Sequence, residues 1–188
     1  MKSRETDLPG VVVLEPKSYS DHRGSFFECY NQRILAAVGI TASFVQDNQS
    51  RSRRGVLRGL HYQLGQPQDK LVRAISGEIF DVVVDIRQGS PTFGRWTSVI
   101  LSAENTLLLY VPKGFAHGFA VLSETAEVVY KCSDFYAPSQ ERGVTWNDPE
   151  LAIPWPVAEP ILSDKDVLLP TLATIPAGAL PAYRPGSA

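Results

Sequence analysis

Three histidines occur among the 188 residues, and two of them, His61 in RGLHYQ and His117 in VPKGFAHGF, sit in strand-like runs. An imidazole with an unperturbed pKa of about 6.5 can take up and release a proton near neutrality, so either could serve as a general base. A lone histidine on a strand can equally be a satisfied core residue. Asp81, in EIFDVVVD, alternates with Ile79 and Val83. It therefore shares their apolar face and must be buried with a partner. Asp166, in SDKD, fits an S-x-x-D capping box with Ser163, because a serine hydroxyl can accept the third helical N–H. The arginines, taken singly, read as solvated surface charges, and RSRR (51–54) stays in that class.

Fixed geometry for such groups must come from strands. Runs such as KLVRAIS, EIFDVVVDI, TLLLYVP and EVVYKCSDFY are rich in β-branched and aromatic residues and are punctuated by Gly, Pro, Asn and Ser. Two short helices are expected, one capped by Asn31 through QRILAAV and ended by Gly39, the other capped by Ser163 before Pro170. The pattern predicts a mostly β chain folded as a double-sheet jelly roll or related barrel. With 44% hydrophobic residues and no internal repeat, one domain spanning 1–188 is expected. The tail TLATIPAGALPAYRPGSA (171–188) lacks hydrophobic periodicity and is expected to pack loosely. Trp96, after the turn GSPTFG, reads as core.

Composition excludes several classes of partner. A formal charge of -2 offers no basic footprint for nucleic acid. No apolar run reaches the length of a membrane span. Two cysteines, Cys29 and Cys132, fall in strand-like segments without zinc or disulfide spacing. A reducing, cytoplasmic compartment is expected.

Pro112, Gly114 and His117 resemble the P-x-G-x-x-H turn of the second cupin motif. The first cupin motif supplies H-x-H, then a Glu seven positions before a Gly. Here Gln63 replaces the second His, and Lys70 stands seven positions before Gly77. An ammonium at a ligand position repels a divalent ion, so the barrel mouth is expected to hold no metal, and no cofactor of any other kind is expected. A fixed positive charge can instead stabilise developing negative charge.

Over Leu8 to Leu168, the runs DHRGSFFECY, QDNQS, VLRGLHYQ, KLVRAISGEIFDVVVDIR, LSAENTLLLYVPKGFAHGF, VVYKCSDFYAP, WNDP and ILSDKD resemble the dTDP-4-dehydrorhamnose 3,5-epimerase family. These are metal-independent cupins of dTDP-L-rhamnose synthesis. The resemblance implies that His61 is the base that removes protons α to a C4 ketone, that Tyr130 is the acid on the opposite face, and that Lys70 provides charge beside the C4 oxygen. It implies that Asp166 orients His61 and that Asp81 pairs with His117 near the sugar and phosphate. Gln46, Asn48, Arg58 and Tyr136 would hold thymidine diphosphate. Arg23, Phe26 and Glu28 would approach it from a neighbouring subunit, because the N-terminal region (about 8–30) would be exchanged across a homodimer. An epimerase of C3 or C5 alone, a metal-dependent cupin oxygenase and a non-catalytic sugar-nucleotide binder are the competing readings.

Strict alternation places His61 and Arg58 on opposite strand faces. For both to reach one ligand the strand must twist or bulge, and Gly59 is the residue best able to permit it.

Overall fold

The computed structural model describes residues 1–184. Its strands and helices are β1 (Lys2–Glu5), β2 (Val12–Glu15), β3 (Ser18–Asp21), β4 (Gly24–Phe27), α1 (Gln32–Ala37), β5 (Gln46–Arg53), β6 (Leu57–Gln63), β7 (Lys70–Ser76), β8 (Glu78–Asp85), β9 (Trp96–Ser102), β10 (Leu108–Val111), β11 (Phe115–Val121), β12 (Thr125–Cys132), β13 (Glu141–Gly143) and α2 (Asp164–Val167). A six-stranded sheet runs β1-β2-β10-β7-β12-β5, a five-stranded sheet runs β13-β6-β11-β8-β9, and the β3–β4 hairpin stands apart. From β5 to β8 each successive strand changes sheet, as it does again from β9 to β13. Residues near in sequence, such as His61 on β6 and Lys70 on β7, therefore come from facing sheets. This is the expected jelly roll.

Alternation along the strands explains three apolar layers. Inward residues including Val72, Ile79, Val83, Leu109, Phe119 and Val128 form the core between the sheets. The opposite faces of β6, β8 and β11 offer Leu60, Tyr62, Val82, Val84 and Ala116, which are covered by Val144, Leu151, Leu172 and Leu180. On the outside of the other sheet, α1 lays Leu35 against Leu14, Leu71 and Leu108. Asn31 caps α1, its side chain accepting from the N–H groups of Arg33 and Ile34.

Two details depart from the sequence reading. Residues 171–184 are docked rather than loose. Leu172 and Leu180 are buried, Leu172 N–H donates to Asp148 Oδ2 at 2.6 Å, and Tyr183 N–H donates to the Gln88 carbonyl at 2.9 Å. Single apolar residues plug the outer sheet face here, and single plugs leave no periodic signal; residues 185–188 lie outside the described residues. Cys29 falls just past β4, outside any strand. Within the 8–30 region, β2 pairs with β10 of its own chain and buries Val13 and Leu14. Only the β3–β4 hairpin projects, with Tyr19 and Phe26 paired across it and 57% and 73% exposed. Trp96 is partly buried, packs against the outer layer and donates its indole N–H to the Leu151 carbonyl at 2.8 Å.

Candidate active site

The site begins with an irregularity in β6. His61 lies opposite His117, while Arg58 lies opposite Phe119. Three steps along β6 thus match two along β11, and Gly59 and Leu60 together face the single Gly118. This bulge reverses the alternation, so Arg58 and His61 both turn inward and line one cleft. Gly59 has φ +128°, and a Cβ on it would lie 2.5 Å from Gly118 Cα. Only a pair of glycines lets the strands approach this closely. The Gly59–Leu60 peptide is cis.

The cleft, of about 360 Å3, opens between the two sheets. Gln46, Asn48, Arg58, His61, Lys70, Tyr130 and Tyr136 all line it. From the five-stranded sheet, His61 Nε2 meets Asp166 Oδ1 at 2.6 Å. The His61 side chain is 32% exposed and that of Asp166 only 4%. Asp166 sits on α2, where Ser163 Oγ accepts its N–H at 3.2 Å. The cap and the carboxylate mount are one structure. Burial pushes the Asp166 carboxyl up, but the hydrogen bond and charge of His61, together with Ser163 and the Gly59 N–H, outweigh it and hold the pKa below its usual value.

From the facing sheet come Tyr130 on β12 and Lys70 at the start of β7. Burial is the main cause raising the Tyr130 pKa, joined by Cys132, Glu141 and Tyr136, with Arg58 opposing. Burial lowers that of Lys70, with Cys132, Asp81 and Glu141 opposing. No hydrogen bond or ion pair joins the Lys70 ammonium to another described residue. Such a group gains most when negative charge appears beside it, which favours a transition state over a neutral ground state.

At the inner end, His117 Nε2 faces both oxygens of fully buried Asp81 at 2.9 and 3.0 Å. The pair spans adjacent strands β11 and β8. Asp81 is the inward carboxylate that the alternation in EIFDVVVD requires. Among the described residues no three His, Cys, Asp or Glu side chains group as metal ligands. His61 and His117 each direct Nε2 to a carboxylate, and Lys70 and Gln63 stand where further ligands would be.

At the mouth, Tyr136 is held through its backbone. Its N–H donates to Gln46 Oε1 at 2.9 Å. Gln63, 8% exposed, brackets the same residue, donating to the Phe135 carbonyl at 3.2 Å and accepting the Ala137 N–H at 2.8 Å. Its amide also donates to the Gln66 carbonyl at 2.7 Å. The side chain at the position where the metal cupin motif has its second His thus fixes the loop that presents Tyr136. Gln63→Met keeps the volume and removes all three bonds. It is expected to loosen that loop and raise KM for the substrate about tenfold, with a much smaller change in kcat, by steady-state kinetics.

Arg58 Nε donates to Ser52 Oγ at 3.1 Å, leaving the rest of its guanidinium toward the cleft. Arg23, Phe26 and Glu28 do not line the cleft of their own chain. Arg23 instead pairs with Asp21 on the hairpin.

The structure adds lining residues that the sequence reading did not single out: Tyr62, Gln68, Cys132 and Glu141. Glu141 Oε2 accepts from Tyr136 Oη at 3.0 Å and from Lys165 Nζ at 3.1 Å, tying the loop that presents Tyr136 to α2. Cys132 is two residues from Tyr130 on one strand face, so alternation could have found it; burial pushes its thiol pKa up.

Residues 5–174 match the model of a family described as dTDP-4-dehydrorhamnose 3,5-epimerase. The chain is 59% identical over 168 residues to an enzyme of that name from Pseudomonas aeruginosa, covering 88% of this chain and 93% of the relative. Its fold is similar, at a TM-score of 0.94 and 51% identity, to a dTDP-6-deoxy-D-glucose-3,5-epimerase from Legionella pneumophila in complex with dTDP-4-keto-L-rhamnose, covering 97% and 98% of the two chains. It is also similar, at 0.88 and 41% identity, to a 3'-monoepimerase from Streptomyces bikiniensis in complex with dTDP-quinovose, covering 95% and 92%. With matched sequence running from β1 past the helix that carries Asp166, this chain belongs to the dTDP-4-dehydrorhamnose 3,5-epimerase family.

Proposed function

We propose that this protein is an isomerase that inverts C3 and C5 of dTDP-4-dehydro-6-deoxy-D-glucose to give dTDP-4-dehydro-L-rhamnose. The observation that carries the reading is the meeting of His61 on one sheet, backed by Asp166 of α2, with Tyr130 and Lys70 on the other across a single cleft. Inversion needs a base on one face of a carbon and an acid on the other. Here the two groups enter from opposite sheets.

His61 takes the proton from the carbon α to the ketone while Asp166 stabilises the imidazolium that forms. The C–H electron pair moves into a C–C double bond, and the C4 oxygen becomes an enolate beside the Lys70 ammonium. Tyr130 then delivers a proton to the other face of that carbon. Gln46, Asn48, Arg58 and Tyr136 hold the thymidine diphosphate, an anchor whose binding energy orients the sugar between base and acid.

The working unit we assign is a homodimer. What supports this is that Phe26 and Arg23 stand exposed on the hairpin, clear of their own cleft, with Glu28 just beyond its end. The free thiols Cys29 and Cys132 agree with a cytoplasmic location, and no helix among the described residues is long and apolar enough to cross a membrane.

The test is proton NMR of the dTDP-4-keto-6-deoxyglucose substrate with purified protein in deuterium oxide. Deuterium is expected at both C3 and C5, with the L-rhamno product accumulating. Exchange at one carbon alone would reassign the protein as a mono-epimerase, the activity named for the Streptomyces relative. Exchange at neither would end the reading.

A further inference from the structure

Strand β5 turns a row of polar side chains toward the barrel interior, running inward from the mouth: Gln46, Asn48, Ser50 and Ser52. Three of the four have protein partners. Gln46 Nε2 donates to Asn48 Oδ1 at 3.0 Å, Asn48 Nδ2 reaches Cys132 Sγ at 3.5 Å, and Ser52 Oγ accepts from Arg58. Ser50 Oγ has none. It is the one fully buried side-chain polar atom among the described residues with no hydrogen-bond partner. A buried hydroxyl without a partner lowers stability, and its retention calls for an explanation.

Ser50 borders a small chamber of about 80 Å3 at the inner end of the cleft, together with Arg58, His61, Lys70, His117 and Tyr130. Three of these are already engaged, Arg58 with Ser52, His61 with Asp166 and His117 with Asp81. Besides the rest of the Arg58 guanidinium, donors that no described residue accepts remain on Tyr130, Lys70 and Ser50. Tyr130 is the acid of the proposed mechanism. Lys70 and Ser50 lie on β7 and β5, the two strands flanking the β12 that carries Tyr130. Two unspent donors thus stand on either side of the acid, on the sheet facing the base.

We propose that Ser50 is a further catalytic residue, donating its hydroxyl proton in a hydrogen bond to the C4 oxygen of the keto sugar alongside the Lys70 ammonium. The inference rests on the epimerase reading. As His61 removes the proton, the C4 carbonyl π pair moves onto oxygen and both donors tighten on the oxyanion. When Tyr130 protonates carbon, the pair returns to the carbonyl. Ser50 and Lys70 keep their own protons throughout. A hydroxyl suits this place because it adds a donor without adding a second acid that could protonate the enolate oxygen.

Ser50→Ala tests this with a pair of readouts that a structural role would not move together. Expected are a fall of roughly ten- to a hundredfold in kcat and in deuterium uptake at C3 and C5, an unchanged KM and dTDP affinity, and a melting temperature equal to or above that of the parent, since no protein contact is lost. Ser50→Thr, which keeps a hydroxyl, is expected to recover part of the rate. The inference fails if Ser50→Ala turns over like the parent, or if its melting temperature falls while kcat holds, the signature of a hydroxyl that serves folding. It also fails if dTDP affinity is lost in step with rate. Failure of the parent protein to exchange either hydrogen would instead sink the epimerase reading itself.

Discussion

His61→Asn is expected to abolish deuterium uptake at both C3 and C5, lowering turnover by about 10² to 10⁴, while Tyr130→Phe loses the inverted product yet still exchanges hydrogen. The difference follows from which side each group serves. Asparagine cannot accept the proton, so no enolate forms and Tyr130 has nothing to protonate. Phenylalanine leaves the base, its Asp166 partner and the Lys70 charge in place, so the enolate still forms and collapses back. At 32% side-chain exposure His61 can trade the captured proton with solvent, and deuterium then returns to carbon from the same face with retained configuration. Neither variant should weaken dTDP binding, because Gln46 holds the Tyr136 N–H and Gln63 the residues on either side of it, independently of both residues. NMR exchange in deuterium oxide and calorimetric titration with dTDP check the pair. Near-parental exchange by His61→Asn would remove His61 from the role of base. Loss of exchange in Tyr130→Phe would mean that the phenol also stabilises the enolate.

Parts of this arrangement are legible in the sequence for identifiable reasons. Alternation in EIFDVVVD requires Asp81 to be inward and partnered, and the structure gives it His117. The caps at Asn31 and Ser163 stand where hydroxyl and amide oxygens meet helix starts. The conflict between alternation and a shared ligand for Arg58 and His61 pointed to Gly59, where the bulge is found. Other features have no local signal. His61 and Asp166 are 105 residues apart, and no periodicity links them; family resemblance alone brought them together. Glu141 lies on a strand of three residues, too short to show alternation. Ser50 belongs to a legible inward row, yet its lack of a partner is a property of packing. The tail misled because Leu172 and Leu180 join a cluster on a sheet face assembled from distant strands.

The bulge also supports the second large effect. Gly59→Ala is expected to destabilise the protein by about 2–5 kcal/mol and to take most of the activity with it. Two costs combine. An alanine at φ +128° occupies backbone space that L residues rarely adopt. Its Cβ would also meet Gly118 Cα at 2.5 Å and the His117 carbonyl oxygen at 2.9 Å, both backbone atoms that cannot swing aside. Relief requires β6 and β11 to separate, which disturbs His61 and His117 together, since they are cross-strand partners. It also pulls the Gly59 N–H from Asp166, removing one of the contacts that keep that carboxylate ionised. Gly89→Ala supplies the comparison, because Gly89 has φ +79° with nothing within 4 Å of its added Cβ. That variant carries a backbone cost without the steric one. Urea unfolding midpoints at constant slope measure both, and kinetics at a temperature where both stay folded separate loss of fold from loss of site. If Gly59→Ala unfolds at the midpoint of Gly89→Ala and retains parental turnover, the strands have room to spare, and the bulge is not what holds Arg58 and His61 on one ligand.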